Sequence, residues 1–197
     1  MHVRLATTED AAAVRDIYAP AVEESAISFE DEPPSSGEIR SRIARKLPTF
    51  PWLVCERVGS DENAEGAENA PDEAGSDSVV GYAYAGPYRS REAYRWSVEV
   101  SVYVADDARR TGVGRTLYES LLALLAEQGF VTAYAAITLP NEASVGLHES
   151  LGFERIGVFE DVGYKRGAWR DVGFWEKRLR DPPDEPTPPM GVETVRV

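Results

Sequence analysis

At 197 residues the chain has room for one domain with tails, and 43% hydrophobic and 28% charged residues match an ordinary foldable protein. No run approaches the roughly 20 apolar residues of a membrane helix. The N-terminal MHVRLATTEDAAAV has no basic or apolar signal region, and the lone Cys55 has no partner for an internal disulfide. These features exclude a membrane protein, a disulfide scaffold and a collagen-like chain, and make a cytoplasmic setting the expectation.

The net charge of −13 argues against nucleic-acid and anionic-membrane partners. Only Lys46, Lys165 and Lys177 are lysines; the other 18 basic residues are arginines. An acidic, lysine-poor surface is what adaptation to high salt requires, because carboxylates hold water while ions screen their repulsion.

In chain order, Val3 to Ala6 reads as a short strand, with Thr7 or Thr8 capping a helix over Asp10 to Glu24. The helix carries Val14, Ile17, Tyr18, Ala21 and Val22 on one face. Ser35 with Glu38 forms a capping-box pattern ahead of a helix striped by Ile39, Ile43 and Leu47. Strands over Trp52 to Val58 and Val79 to Ala85 flank residues 59–78, which hold seven acids, no base and no aromatic. That insertion lacks the apolar surface to offset its ordering entropy, so a long acidic hairpin loop is predicted. Gly86 and Pro87 end the second strand, and Trp96 to Val104 is the longest β-rich run.

A long helix follows, with Val113, Leu117, Leu121, Leu124 and Leu125 inward and Gly129 past its end. Val131 to Ile137 reads as a buried strand, and Asn141 caps a helix ending at Gly152. Strands near Phe153 to Val162 and Asp171 to Lys177 complete an α/β fold, a mixed sheet flanked by helices. Residues 1–180 are thus expected as one domain. Residues 181–197, with five prolines, are expected as a tail that at most drapes over the surface.

The chemistry concentrates where a strand, Val102-Tyr103-Val104, runs through Arg109-Arg110-Thr111-Gly112-Val113-Gly114-Arg115-Thr116 into the long helix. Two glycines let successive backbone N–H groups converge, the helix N-terminus adds partial positive charge, and three arginines supply cations. This is a pyrophosphate cradle. It lacks the Gly-Lys-Ser/Thr of a Walker loop and the three early glycines of a dinucleotide fingerprint. Downstream, Leu139-Pro140-Asn141-Glu142-Ala143-Ser144 leads to Leu147-His148-Glu149-Ser150-Leu151-Gly152-Phe153, with His148 in the last helical turn. Cys55 sits in an apolar strand as packing, and no metal-ligand spacing or hydrolase nucleophile elbow is found.

Together the cradle and the Asn141 to Phe153 segment resemble the GNAT superfamily of acetyl-CoA-dependent N-acetyltransferases. Phe50 to Val54, Gly81 to Pro87, Ala93 to Trp96, Gln128 to Phe130 and Gly163 to Trp175 are similar to its phosphinothricin and methionine sulfone (sulfoximine) acetyltransferase branch. The resemblance spans about Val3 to Trp175, with the acidic insertion and the tail outside it. It implies direct acetyl transfer to the α-amine of a small amino-acid analogue, with Glu99 as the base and His148 as the acid for the departing thiolate. The cofactor would be held by Val102 to Val104, the cradle from Arg109 to Thr116, and Asn141. Arg89 and Arg91 would take a carboxylate, phosphinate or sulfone between the apolar walls Phe29 and Tyr94. The resemblance also implies a homodimer, for which the Trp169 to Trp175 stretch offers an apolar surface. A GNAT acting on protein N-termini or polyamines, and a non-catalytic acyl-CoA-binding module, are the alternatives.

Overall fold

The computed structural model describes residues 1–57 and 78–195. The expected acidic loop therefore lies outside the described residues, except for Ser78. A seven-stranded mixed sheet carries the fold: β1 (His2–Leu5), β2 (Trp52–Arg57), β3 (Ser78–Pro87), β4 (Ser97–Val104), β5 (Thr132–Leu139), β6 (Glu154–Lys165) and β7 (Ala168–Arg178), in the order β1-β2-β3-β4-β5-β7-β6. Only β4 and β5 run parallel, as a strand–helix–strand crossover requires. Helices α1 (Ala11–Glu23), α2 (Ser36–Lys46), α3 (Val113–Gln128) and α4 (Glu142–Ser150) cover the sheet. Among the described residues no helix is long and apolar enough to cross a membrane.

The local signals act where expected. Thr7 caps a 3-10 turn over Thr8–Asp10 that leads into α1, with Asp10 closing the box onto the Thr7 N–H at 2.7 Å. Asp10 is then locked by Arg4, which donates to both its oxygens, and Arg4 also pairs with Glu56. Ser35 accepts from the Glu38 N–H, but the Glu38 side chain turns to Arg42 instead of closing the predicted box. The salt bridge one turn along the helix wins over the backbone donor.

Period-two alternation divides the core between the two faces of the sheet. Leu53, Cys55, Ala83, Val98 and Val100 pack with Leu117, Leu121 and Leu125 of α3. Trp52, Val54 and Tyr82 pack with Val14, Tyr18 and Val22 of α1 and Ile39 and Ile43 of α2. Full burial of one such leucine contributes about 1.5–3 kcal/mol. Gly129 ends α3 at φ 98°, its N–H on the Ala126 and Leu125 carbonyls, so the chain reverses directly into Phe130 and β5.

Between β6 and β7, Arg166 at φ 54° and Gly167 at φ 75° make a two-residue turn of the twist that hairpins prefer. The C-terminal segment does more than drape. Thr187 O accepts from Trp96 Nε1, Gln128 exchanges bonds with the Met190 backbone, and Val192 is buried.

Candidate active site

The parallel ladder between β4 and β5 is short. Ser97 pairs with Thr132, Val98 with Ala133 and Glu99 with Tyr134; beyond that point the strands separate. β4 stays bonded to β3 as far as Val104, and β5 to β7 as far as Leu139, so each presents an unpaired backbone edge to the gap. A slot follows, lined by Ile27, Val100 to Tyr103, Tyr118, Ala135 to Thr138, Asn141, Ser144 and His148. Open strand edges and a helix N-terminus at one end suit a long ligand with polar groups along it.

The cradle stands at the start of α3, just past the end of β4. Arg110 at φ 63° and Gly112 at φ 95° turn the chain into α3. Among the described residues, none of the backbone N–H groups from Arg110 to Arg115 has a protein acceptor, and the first to bond is Thr116, to Gly112 O. A Cβ at Gly114 would lie 3.2 Å from Leu147, so this glycine sets the contact between α3 and α4. The arginines divide. Arg109 is paired with Asp106 at 2.6 Å, and Arg115 donates to Ser150 Oγ at 2.8 Å and faces Glu119. Only Arg110 of the three is free of an ion pair among the described residues, so the backbone, not a cation cluster, is the dominant donor set. Val102 and Tyr103 line the slot, and Val104 packs under Gly114. The Tyr103 ring leaves for the opposite face, edge-on to Tyr18 and stacked on Tyr82. Thr111 bonds back to Ala108 O and Thr116 to Gly112 O, which stiffens the turn. Asn141 caps α4 by accepting from the Ser144 N–H and also borders the slot.

Glu99 stands where the ladder ends. Its residue is exposed at the mouth, yet enough protein surrounds it that desolvation pushes its carboxyl above the ordinary range, opposed by the charges of Arg89 and Lys46. His148 is in the last turn of α4 as expected, and it is buried and neutral: loss of solvent holds its imidazole below the ordinary value. Its Nδ1–H donates to Ser144 O at 2.7 Å, which leaves Nε2 as an acceptor for the Tyr118 O–H at 3.0 Å. In that pairing the expected acid role of His148 would need a second proton on the ring, at Nε2. The hydroxyl on the slot wall belongs to Tyr118, whose ionisation burial raises strongly.

The acceptor side is partly as expected. Phe29 leans on β6 so closely that a side chain at Gly163 would run into its ring. Glu30 beside it is a structural tether, accepting from Tyr18 Oη and Arg42. Arg89 lies over the Tyr88 ring at 4.7 Å and reaches the field of Glu99. Tyr94 packs edge-on to Tyr88, which stacks on Tyr134, the register partner of Glu99. Arg91 is exposed at the start of the 3-10 turn that carries Tyr94. Sequence reasoning missed Tyr118, Tyr134, Tyr88 and Lys46. Tyr118 was legible as a tyrosine inside the leucine stripe of α3, whereas nothing local marked Lys46. Cys55 is fully buried with its thiol raised by burial, as packing requires. Among the described residues, no group of three or more His, Cys, Asp and Glu is placed to hold a metal.

Residues 71–173 match the family model described as an acetyltransferase (GNAT) domain. A phosphinothricin N-acetyltransferase of Streptomyces viridochromogenes is 40% identical over 195 residues, covering 99% of this chain and 94% of that protein. The chain belongs to the GNAT acetyltransferase family. An L-methionine sulfoximine/L-methionine sulfone acetyltransferase of Salmonella typhimurium is 33% identical over 180 residues, covering 91% of this chain and 95% of its own length. The crystal structure of a GNAT phosphinothricin acetyltransferase from Sinorhizobium meliloti, in complex with AcCoA, superposes with a TM-score of 0.79 at 29% identity, over 97% of each chain. As a GNAT enzyme the protein is an N-acetyltransferase with acetyl-CoA as co-substrate. The free N–H groups of the cradle and the unpaired strand edges fit that molecule.

Proposed function

We propose that the enzyme acetylates the α-amine of a small amino-acid analogue of the phosphinothricin or methionine sulfone type, by direct transfer. The observation that carries this reading is the placement of Glu99 at the end of the β4–β5 ladder, between the slot and a mouth bearing Arg89. Bound acetyl-CoA would supply an activated acetyl thioester, its pyrophosphate on the N–H groups of Arg110 to Arg115 and its chain along Val102 to Val104, with Asn141 beside it.

At the mouth, Glu99 takes the proton of the arriving ammonium; its raised carboxyl is the better base for it. Arg89 holds the remote acidic or sulfone group by its guanidinium fork. Phe29, Tyr88, Tyr94 and Tyr134 are the aromatic walls of the pocket. At the inner wall the departing thiolate would take a proton from the Tyr118 hydroxyl, which would first turn from His148 Nε2, and solvent would return that proton to the phenolate. Cations around Glu99 work against a polyamine. Turnover of acetyl-CoA, followed by thiol release with phosphinothricin, methionine sulfone, methionine sulfoximine and spermidine, tests the reading. Acetylation of spermidine alone would overturn it.

A homodimer belongs to the same proposal. The outer face of β6 and β7 exposes Ile156, Phe159, Val162, Tyr164 and Trp169, each more than half accessible, beyond the scattered apolar exposure of ordinary monomers. A single domain over 1–180 in a cytoplasmic, salt-adapted protein is also proposed, supported by the one continuous sheet, the buried unpaired Cys55 and the −13 charge, which equally disfavours nucleic-acid and membrane partners.

A further inference from the structure

Lys46 is the last residue of α2 and leans over the sheet toward the mouth of the slot. Its ammonium sits 4.7 Å above the Tyr84 ring and donates to Ala85 O at 3.5 Å. A Cβ added to Gly86 would lie 2.5 Å from Nζ, so the ammonium fills the space that a side chain at Gly86 would take. Gly86 is the register partner of Glu99 across β3 and β4. Directly opposed residues project from the same face of an antiparallel pair, with side-chain roots about 5 Å apart. The ammonium therefore stands across from the carboxylate, and the two are not within ion-pair distance. Lys46 is half-buried and has no carboxylate partner among the described residues. Burial depresses its ammonium, and the field of Glu99 supports it.

A separated cation and anion on one face match a zwitterion, whose ammonium and carboxylate branch from a single carbon. We infer that Lys46 binds the α-carboxylate of the substrate while Glu99 receives its α-ammonium, which makes the enzyme selective for amino acids over the corresponding simple amines. The inference rests on the acetyltransferase reading above and divides its cations: Arg89 serves the remote group and Lys46 the α-carboxylate. It also gives Gly86 a function, since any side chain there displaces the ammonium. A half-buried cation without a permanent partner carries a desolvation cost that an arriving carboxylate offsets.

The test compares L-methionine sulfone with 3-(methylsulfonyl)propylamine, the same molecule without its carboxylate. Wild type should favour the amino acid in kcat/KM by about 10- to 100-fold, the worth of one hydrogen bond to a charged group. Lys46→Met should abolish the preference. Lys46→Arg should retain most of it, and Gly86→Ala, which keeps the lysine but moves it, should behave like Lys46→Met. Tuning of Glu99 alone would shift both substrates equally and leave the ratio intact. An unchanged ratio in folded Lys46→Met and Gly86→Ala proteins overturns the inference. If wild type turns over neither compound, the acetyltransferase reading fails instead. Calorimetric titration of both compounds into wild type and Lys46→Met then decides the carboxylate contact without turnover: equal loss of both, or of neither, overturns it.

Discussion

The cradle and the acceptor pocket meet at the same separated strands and are built in opposite ways. The cradle is one continuous stretch, Arg110 to Arg115, whose proposed function resides in backbone N–H groups left over by a helix start. The proposed acceptor pocket gathers side chains from α2, the loop after β3, β4, β5 and the segment after α1: Lys46, Arg89, Glu99, Tyr134 and Phe29. Backbone recognition tolerates any side chain that keeps the turn, so the cradle depends on conformation. Side-chain recognition depends on identity, because each charge has one role and few substitutes. The same asymmetry separates the two titratable groups of the site. Desolvation acts on both, raising the carboxyl of Glu99, the proposed base, and lowering the imidazole of His148 beside Tyr118.

The comparison breaks most visibly at Glu99. Glu99→Gln should lower kcat by about 10²- to 10⁴-fold and leave acetyl-CoA affinity unchanged, because identity is lost and the cradle is not. Activity of the wild type should rise with pH as the Glu99 carboxylate forms, with the limb above the ordinary carboxylate range, since its carboxyl is raised. The variant should lack that limb, and kcat/KM profiles that superimpose would remove Glu99 from the reaction.

On the cradle side the sensitive feature is shape. Gly112 sits at φ 95°, where a β-branched residue is strained, so Gly112→Val should cost on the order of 10²-fold in acetyl-CoA affinity in a folded protein. Calorimetry reads this directly, with circular dichroism as the control for folding. Replacing Arg115, already paired with Ser150 and Glu119, should cost far less.

Tyr118→Phe probes the inner wall. It removes the donor to His148 Nε2 and leaves a buried acceptor unpaired, with an expected loss of about 1–3 kcal/mol of stability. A fall in kcat of about 10-fold or more, at unchanged acetyl-CoA affinity, would place the hydroxyl in the reaction; an unchanged kcat would restrict the pair to structure. Because His148 is depressed below its ordinary value, neither wild type nor variant should show an imidazole limb near neutrality.

The smallest effect lies behind the cradle. A Cβ at Gly146 in α4 meets nothing within 4 Å, so Gly146→Ala should raise stability by about 0.5–1 kcal/mol with activity retained. Thermal unfolding measures it, and a loss of activity would show that this face of α4 serves the cofactor through its open backbone.

Local signals settled much of this protein. Thr7, Ser35, Asn141 and Gly129 fixed where helices begin and end, because each acts on backbone groups within four residues. Period-two and period-3.6 patterns fixed the α/β class and the core face of α3, since burial needs only a stripe. The cradle was legible for the same reason: Gly112, Gly114 and the helix they open are neighbours in sequence. Tertiary structure alone decided the rest. The tautomer of His148 follows from Ser144 and Tyr118 together, and no pattern near His148 records which of its nitrogens is occupied. The paired states of Arg109 and Arg115 depend on rotamers. Lys46 is brought to Glu99 across 53 positions by the packing of α2 on the sheet, with Gly86 leaving the space. Backbone geometry propagates along the chain and is written locally; electrostatic neighbours are a matter of distance in space, which only the folded sheet assigns.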